Sequence, residues 1–279
     1  MSLYLITGSA KGIGRALVER LSRANPSSTI LMTTRNNESG EKTLGELSSK
    51  GYSNVKFHQL DINDSDSRSK IMQHIKSTYG GLDVLLNNAG IYVKPSQKLS
   101  FPDEVDITLK TNYLSPMALA QECLPILKEN SRIVNVGAKI GILGYNKISK
   151  ENYERIMNCK SIQELNEIAY EYKKYAEEKS LVKNGWINLV YAISKSFINR
   201  GSEILAQSVA DDHRKIIVTA CCPGSVKTDM TGNKGLLTPE EGAETPAWLA
   251  DNKDPSINGK FFVIKTPLDM KRNPNIKFG

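Results

Sequence analysis

Short apolar runs and stretches of helical period alternate along the chain. Leu3 to Thr7, Thr29 to Thr34, Val55 to Leu60, Val84 to Leu86, Arg132 to Val136, Ile216 to Cys221 and Phe261 to Ile264 each read as a strand. Between them, Gly12 to Ser22, Glu41 to Lys50, Ser65 to Tyr79 and a segment around Glu104 to Lys128 read as helices. Strands alternating with helices of this length predict parallel βαβ units, a doubly wound α/β sheet with helices on both faces. Such sheets bind ligands at the carboxyl ends of their strands, where the chain direction switches.

From Tyr145 to Gly185 the alternation stops, and no strand pattern appears among the Lys, Glu, Tyr and Asn residues. Ser161-Ile162-Gln163-Glu164 fits a capping box, and Leu165, Ile168, Ala169 and Tyr172 then share one helical face. This predicts a helical insertion at about residues 145–185, packed on the body, because no Pro or Gly run marks a boundary. Residues 1–279 are therefore expected to form one domain, and the 39% hydrophobic content suffices for its core.

Charge changes this picture little. The formal net charge is +7, but basic and acidic residues are interspersed, with no run that suits nucleic acid or a membrane surface. The four cysteines, Cys123, Cys159, Cys221 and Cys222, form no CxxC pair, and no metal-binding spacing is present. No apolar stretch approaches the roughly 20 residues of a membrane span. With no export signal at the N-terminus either, a cytoplasmic protein is expected.

The first strand runs into Thr7-Gly8-Ser9-Ala10-Lys11-Gly12-Ile13-Gly14 and then a helix. Glycines at such a turn let a pyrophosphate approach the backbone, and the helix N-terminus offers it unpaired amides. An NAD-specific site usually has an acidic residue after the second strand. Here the stretch is Thr33-Thr34-Arg35-Asn36-Asn37, with no carboxylate before Glu38. Arg35 with its planar fork, and Lys11 in the glycine turn, suit a 2′-phosphate, so NADPH or NADP+ is the expected cofactor.

The GxxxGxG turn, Asn87-Asn88-Ala89-Gly90 after the fourth strand, Tyr191-Ala192-Ile193-Ser194-Lys195, and Pro223-Gly224-Ser225-Val226-Lys227-Thr228 stand in one order along the chain. In these motifs the sequence resembles the short-chain dehydrogenase/reductases, from Leu3 to about Ile264, and most of all their monomeric carbonyl reductases. The resemblance implies a Rossmann fold and reduction of ketones, quinones or aldehydes as small-molecule substrates. It implies cofactor contacts from Gly8, Lys11, Gly12, Ile13, Gly14, Asn88, Ala89 and Gly90, and from Pro223, Gly224, Val226 and Thr228. Asp61 and Ile62 match the position that contacts adenine. The insertion before Tyr191 resembles one that covers a surface used elsewhere in the family for dimerisation, which implies a monomer.

Tyr191 and Lys195 are four apart and share one helical face. The ammonium of Lys195 is expected to lower the tyrosine pKa and to hold ribose hydroxyls, leaving Tyr191 as general acid. By the resemblance, Asn112 anchors a water that relays protons to Lys195. The family also uses a serine after the fifth strand. Here the run is Asn135-Val136-Gly137-Ala138-Lys139, so Ala138 stands at the serine position. Loss of one such preorganised donor costs on the order of 10²–10³ in rate. Three accounts stay open: a weakened reductase, another hydroxyl such as Ser149 or Ser225 entering the site, or a catalytically silent NADP(H)-binding sensor or scaffold. Ile140, Ile142, Leu143, Met230, Leu236 and Leu237 are candidate pocket walls, and Trp186 and Trp248 read as packing residues.

Overall fold

The computed structural model describes residues 1–275. The first half alternates as the pattern predicts: β1 (Leu3–Ile6), α1 (Gly12–Ala24), β2 (Thr29–Thr34), α2 (Asn37–Ser49), β3 (Val55–Gln59), α3 (Ser65–Tyr79) and β4 (Leu82–Asn87). The second helix begins before the expected Glu41, because Asn36 caps it by accepting from the Ser39 amide at 2.8 Å. The long helix expected around Glu104 to Lys128 is instead three pieces: α4 (Phe101–Leu109), a π-helical turn (Lys110–Leu114) and α5 (Ser115–Cys123). Pro116 cannot donate the α-helical bond to the Asn112 carbonyl, and the backbone widens there.

β5 (Leu127–Val136) starts earlier than Arg132, with a register break where it meets β4 between Leu82 and Val84. Then come α6 (Ile140–Lys147), α7 (Lys150–Asn158), α8 (Ile162–Glu177), α9 (Val190–Ser208), β6 (Ile217–Cys222), α10 (Pro239–Gly242), α11 (Glu244–Asp251), β7 (Phe261–Val263) and β8 (Thr266–Leu268). The last strand was not apparent in the sequence. It turns back through Ile264 and Lys265, both at positive φ, where a hairpin would ordinarily announce itself with Asn or Gly.

The eight-stranded sheet runs β3-β2-β1-β4-β5-β6-β7-β8, parallel except for the β7–β8 pair. This is the doubly wound Rossmann sheet. Its order reverses between β1 and β4, so the turns after these two strands meet at one crevice.

The segment from residue 145 to 185 is helical, though α6 already starts two residues after Ala138. Ser161 accepts from the Glu164 amide at 3.1 Å, while the Glu164 carboxylate reaches back to the Lys160 amide rather than to Ser161. Leu165, Ile168, Ala169 and Tyr172 are buried with Trp186 and Phe197, in a cluster shared with Val105 and Leu109 of α4 and Met117 of α5. Lys173 of α8 pairs with Asp106 of α4 at 2.6 Å. Trp248 is partly buried edge-on to Phe262.

The insertion shares its packing cluster with α4, α5 and α9. Leu165→Ala, at a side chain fully out of solvent, is expected to destabilise the chain by about 2–5 kcal/mol. Calorimetry should show the main unfolding transition moving down as one peak. A main transition left in place would separate the insertion from the body.

Candidate active site

The two turns at the crevice lock together through small atoms. The Thr7 hydroxyl accepts from the amides of Asn88 and Ala89, each at 3.0 Å. The Asn88 side-chain amide donates to the carbonyls of Thr7 and Gly8 at 2.9 and 3.1 Å. A side chain at Gly14 would stand 2.4 Å from the Gly8 carbonyl oxygen, and one at Gly8 would stand 2.8 Å from the Ala89 Cα. Gly8 also sits at φ +63°, a backbone conformation that favours glycine. The glycine turn and Asn88-Ala89 thus form one built unit.

The N-terminus of α1 opens beside this unit. Its cap, Lys11, makes no side-chain cap bond, and the first turn has no acidic residue. By contrast Asn36, Asp64, Ser100 and Ser161 cap their helices. The α1 terminus therefore keeps donors that suit an anion. Thr228 packs over Gly12, and Val226 lies near Ile13 where both approach Gly242. Leu237 covers the turn at Gly224, just after Pro223.

Arg35 is exposed at the end of β2, and its guanidinium has no partner among the described residues. Lys11 is not free in the same way: its Nζ meets Asp229 Oδ2 at 2.6 Å, and Lys94 donates to the Asp229 carbonyl at 2.5 Å. The loop carrying Thr228 and Asp229 is thereby strapped across the glycine turn. Asp61 and Ile62 follow the end of β3. The Ile62 side chain is buried in the core with its carbonyl held by Arg68, so it cannot present an apolar face to a base. Asp61 accepts from the Asn63 amide at 2.9 Å, and among the described residues no hydrogen bond or ion pair joins either residue to the glycine turn.

The second group of residues hangs on α9. Gly141 and Gly144 let α6 approach α9 closely: side chains there would strike Asn199 and Ser196 at 2.6 and 2.2 Å. Ser196 fills the gap by donating to the carbonyls of Gly141 and Ala192 at 2.7 and 3.0 Å. In this seat Lys195 is 7% exposed and donates to the Val136 carbonyl at 2.9 Å. Its ammonium is 5.8 Å from the centre of the Tyr191 ring.

Burial pushes Lys195 down to about 8, with Cys222 and Cys221 acting in the opposite direction. Burial pushes Tyr191 up to about 12, helped by Cys222 and Tyr92. The expected lowering of Tyr191 by the ammonium is therefore not found; desolvation of the phenolate sets the direction instead. Tyr191 keeps its proton at neutral pH, as a proton donor must.

Asn112 accepts from the Ile91 amide at 2.8 Å and donates to the Ile91 carbonyl and the Ser194 hydroxyl at 2.9 and 3.2 Å. Gly90 beside it leaves a gap: a side chain there would stand 3.2 Å from Asn112 Oδ1 and 4.0 Å from Lys195 Nζ. The structure thus brings Gly90, Asn112, Tyr191 and Lys195 to one place.

Two hydroxyls considered as replacements for the absent serine are not brought there by any contact. Ser149 caps α7, accepting from the Asn152 amide at 3.1 Å, and packs against Gly185. Ser225 is exposed, with only its carbonyl engaged, by the amides of Leu236 and Leu237. Gly137 could not carry a hydroxyl, since Asn199 Oδ1 lies 2.0 Å from where its Cβ would be. Asn199 also donates to the Ala138 carbonyl at 3.0 Å. Of the suggested pocket walls, Ile142 is on α6 and is buried against Ala220, Phe261 and Met270. Leu236 is largely exposed, and Ile140, Leu143, Met230 and Leu237 are half-buried. Tyr92, Lys94, Asp229 and Asn199 were not singled out in the sequence; three lie in loops or turns without period, and Asn199 looks like any polar helix residue.

The doubly wound sheet, the glycine turn and the Tyr191–Lys195 pair define a dinucleotide-dependent oxidoreductase site. A family model described as short chain dehydrogenase matches residues 2–151, and the chain belongs to that family. It is 36% identical over 249 residues to carbonyl reductase (NADPH) 1 of Rattus norvegicus, covering 88% of this chain and 89% of that one. It is 37% identical over 252 residues to carbonyl reductase (NADPH) 3 of Homo sapiens, covering 88% and 89%. Salutaridine reductase from Papaver somniferum superposes with a TM-score of 0.84 at 26% identity, covering 94% of this chain and 99% of that one.

The buried lysine leaves a signature in stability. The folded chain holds the Lys195 proton less tightly than the unfolded chain does, so unfolding takes up a proton between about pH 8 and the ordinary lysine value of 10.5. Below that window both states are charged and the burial penalty stands in full; above it both are neutral. Lys195→Met should therefore be more stable than the unaltered chain at neutral pH, by a margin that shrinks as pH rises through the window. Denaturant titrations across pH check this, and a margin independent of pH would contradict it.

Proposed function

We propose that the protein is an NADPH-dependent reductase of small carbonyl compounds, acting as a cytoplasmic monomer, with Tyr191 as proton donor. The observation that carries this reading is the protonated, half-buried Tyr191 beside Lys195, at the crevice that the glycine turn opens. The reductases to which the chain is similar carry NADPH in their names, which supports the same cofactor here.

The uncapped α1 terminus and the glycine turn fit a pyrophosphate, and Arg35 fits a 2′-phosphate with its free planar fork. Lys11 joins it only by giving up Asp229. Asn88, Ala89 and Gly90 line the crevice, with Val226 and Thr228 closing over Gly12 and Ile13. When bound, the dinucleotide supplies a hydride for the carbonyl carbon.

Tyr191 donates its proton to the carbonyl oxygen. Lys195, charged below about pH 8, stabilises the phenolate left behind and holds ribose hydroxyls. Asn112 keeps one oxygen lone pair for a water in the gap at Gly90, from which Lys195 can pass a proton to Tyr191. The insertion supports a monomer, because α8 covers α4 through the Lys173–Asp106 pair. No described helix is long and apolar enough to cross a membrane.

Ala138 favours a second reading, a protein that binds NADP(H) without turning it over. Steady-state assays with NADPH and a panel of quinones and diketones separate the two. The reductase reading expects turnover by the unaltered chain, with kcat lowered about 10²–10⁴-fold in Tyr191→Phe. The silent binder expects fluorescence-detected NADPH binding with no turnover until Ala138→Ser is introduced. Arg35→Ala should weaken NADPH binding by roughly 1.5–3 kcal/mol while leaving NADH binding unchanged. Equal losses for both cofactors would remove Arg35 from the 2′-phosphate site.

A further inference from the structure

A carbonyl oxygen gaining negative charge has lone pairs for two donors, and Tyr191 fills only one. Ala138 offers no second donor, and neither does Gly137, whose side-chain space Asn199 takes. Ser149 is spent on capping α7, and no contact ties Ser225 to Tyr191. Ser194 lies one turn along α9, but it donates to the Tyr191 carbonyl at 2.8 Å and accepts from Asn112.

Tyr92 differs from all of these. Its ring stands edge-on to that of Tyr191, with centroids 5.3 Å apart and planes at 87°. It is 48% exposed, and its hydroxyl has no hydrogen-bond partner among the described residues. Its backbone is nonetheless held, because Asn112 grips the preceding residue, Ile91, by both amide and carbonyl. A large ring packed against Tyr191, on a half-exposed residue whose hydroxyl has no partner among the described residues, leaves a donor free for something that enters the cleft.

We propose that the Tyr92 hydroxyl is the second hydrogen-bond donor to the substrate's carbonyl oxygen, replacing the hydroxyl that Ala138 lacks. The inference rests on the reductase reading of the same site. The donor then comes from the loop after β4 rather than from the end of β5. No bond is made or broken at Tyr92; it stabilises charge while Tyr191 delivers the proton. Its ring also presents an aromatic edge and face at the mouth, which favours flat conjugated carbonyls, quinones and aryl ketones, over small aliphatic ones.

Steady-state kinetics on Tyr92→Phe, Ala138→Ser and the double variant test this, with NADPH affinity followed by fluorescence. Tyr92→Phe keeps the ring and removes only the hydroxyl. The expected result is a fall in kcat of about 10²-fold with NADPH affinity unchanged. Ala138→Ser should then restore most of the rate in the double variant and add little to the unaltered chain. A Tyr92→Phe enzyme with undiminished kcat would overturn the proposal. So would a loss that Ala138→Ser does not rescue, since the tyrosine would then only position its neighbours. Failure of the unaltered chain to turn over, whether or not Ala138→Ser does, would sink the reductase reading itself, and this inference with it.

Discussion

The hydrogen bond from Lys195 to the Val136 carbonyl ties α9 to the end of β5, and the geometry of the site follows from it. A charged amine out of water is costly, and it persists only where a partner is fixed and the surroundings are tight. Gly141 and Gly144 supply the tightness by letting α6 settle onto α9. With the helix seated, Tyr191 falls one turn earlier, at the same crevice. Its ring is half-buried by the same packing, and the desolvation that comes with it keeps the proton on at neutral pH.

The cofactor half of the crevice is built from different material. Thr7, Gly8 and Asn88 have side-chain or carbonyl atoms engaged in joining the ends of β1 and β4, and Gly14 leaves room for the Gly8 carbonyl. What remains for an anion is the α1 terminus and two surface cations, of which Lys11 is shared with Asp229. The pairing of Gly137 with Asn199 shows that the departure at the end of β5 is settled in the packing beneath it. Asn199 fills the space and fixes the Ala138 carbonyl, so this strand end holds its shape without a serine.

Much of the fold could be read from period alone, because strands buried on both faces leave continuous apolar runs. The glycine turn and the Tyr191–Lys195 spacing were legible for a related reason: each is local in sequence. What escaped depends on contacts far apart in the chain. The phenol of Tyr191 was expected to be lowered by Lys195, yet burial by distant elements decides its direction. Ser149 is a free hydroxyl by sequence alone, yet α7 starts there and uses it as a cap. The β7–β8 turn uses Ile264 and Lys265 where sequence rules ask for Asn or Gly. Tyr92 sits in a loop, where nothing periodic distinguishes it from its neighbours.

Transfer of label is the most direct test of a site that gives both hydride and proton to a carbonyl. The purified chain would be incubated with NADPH deuterated at nicotinamide C4 and a quinone or aryl ketone, and the product weighed by mass spectrometry. For the ketone, the account predicts an alcohol carrying one deuterium on the former carbonyl carbon, formed by the unaltered chain and nearly absent with Tyr191→Phe. Bound but unconsumed NADPH, or alcohol formed at the same rate without Tyr191, would contradict it.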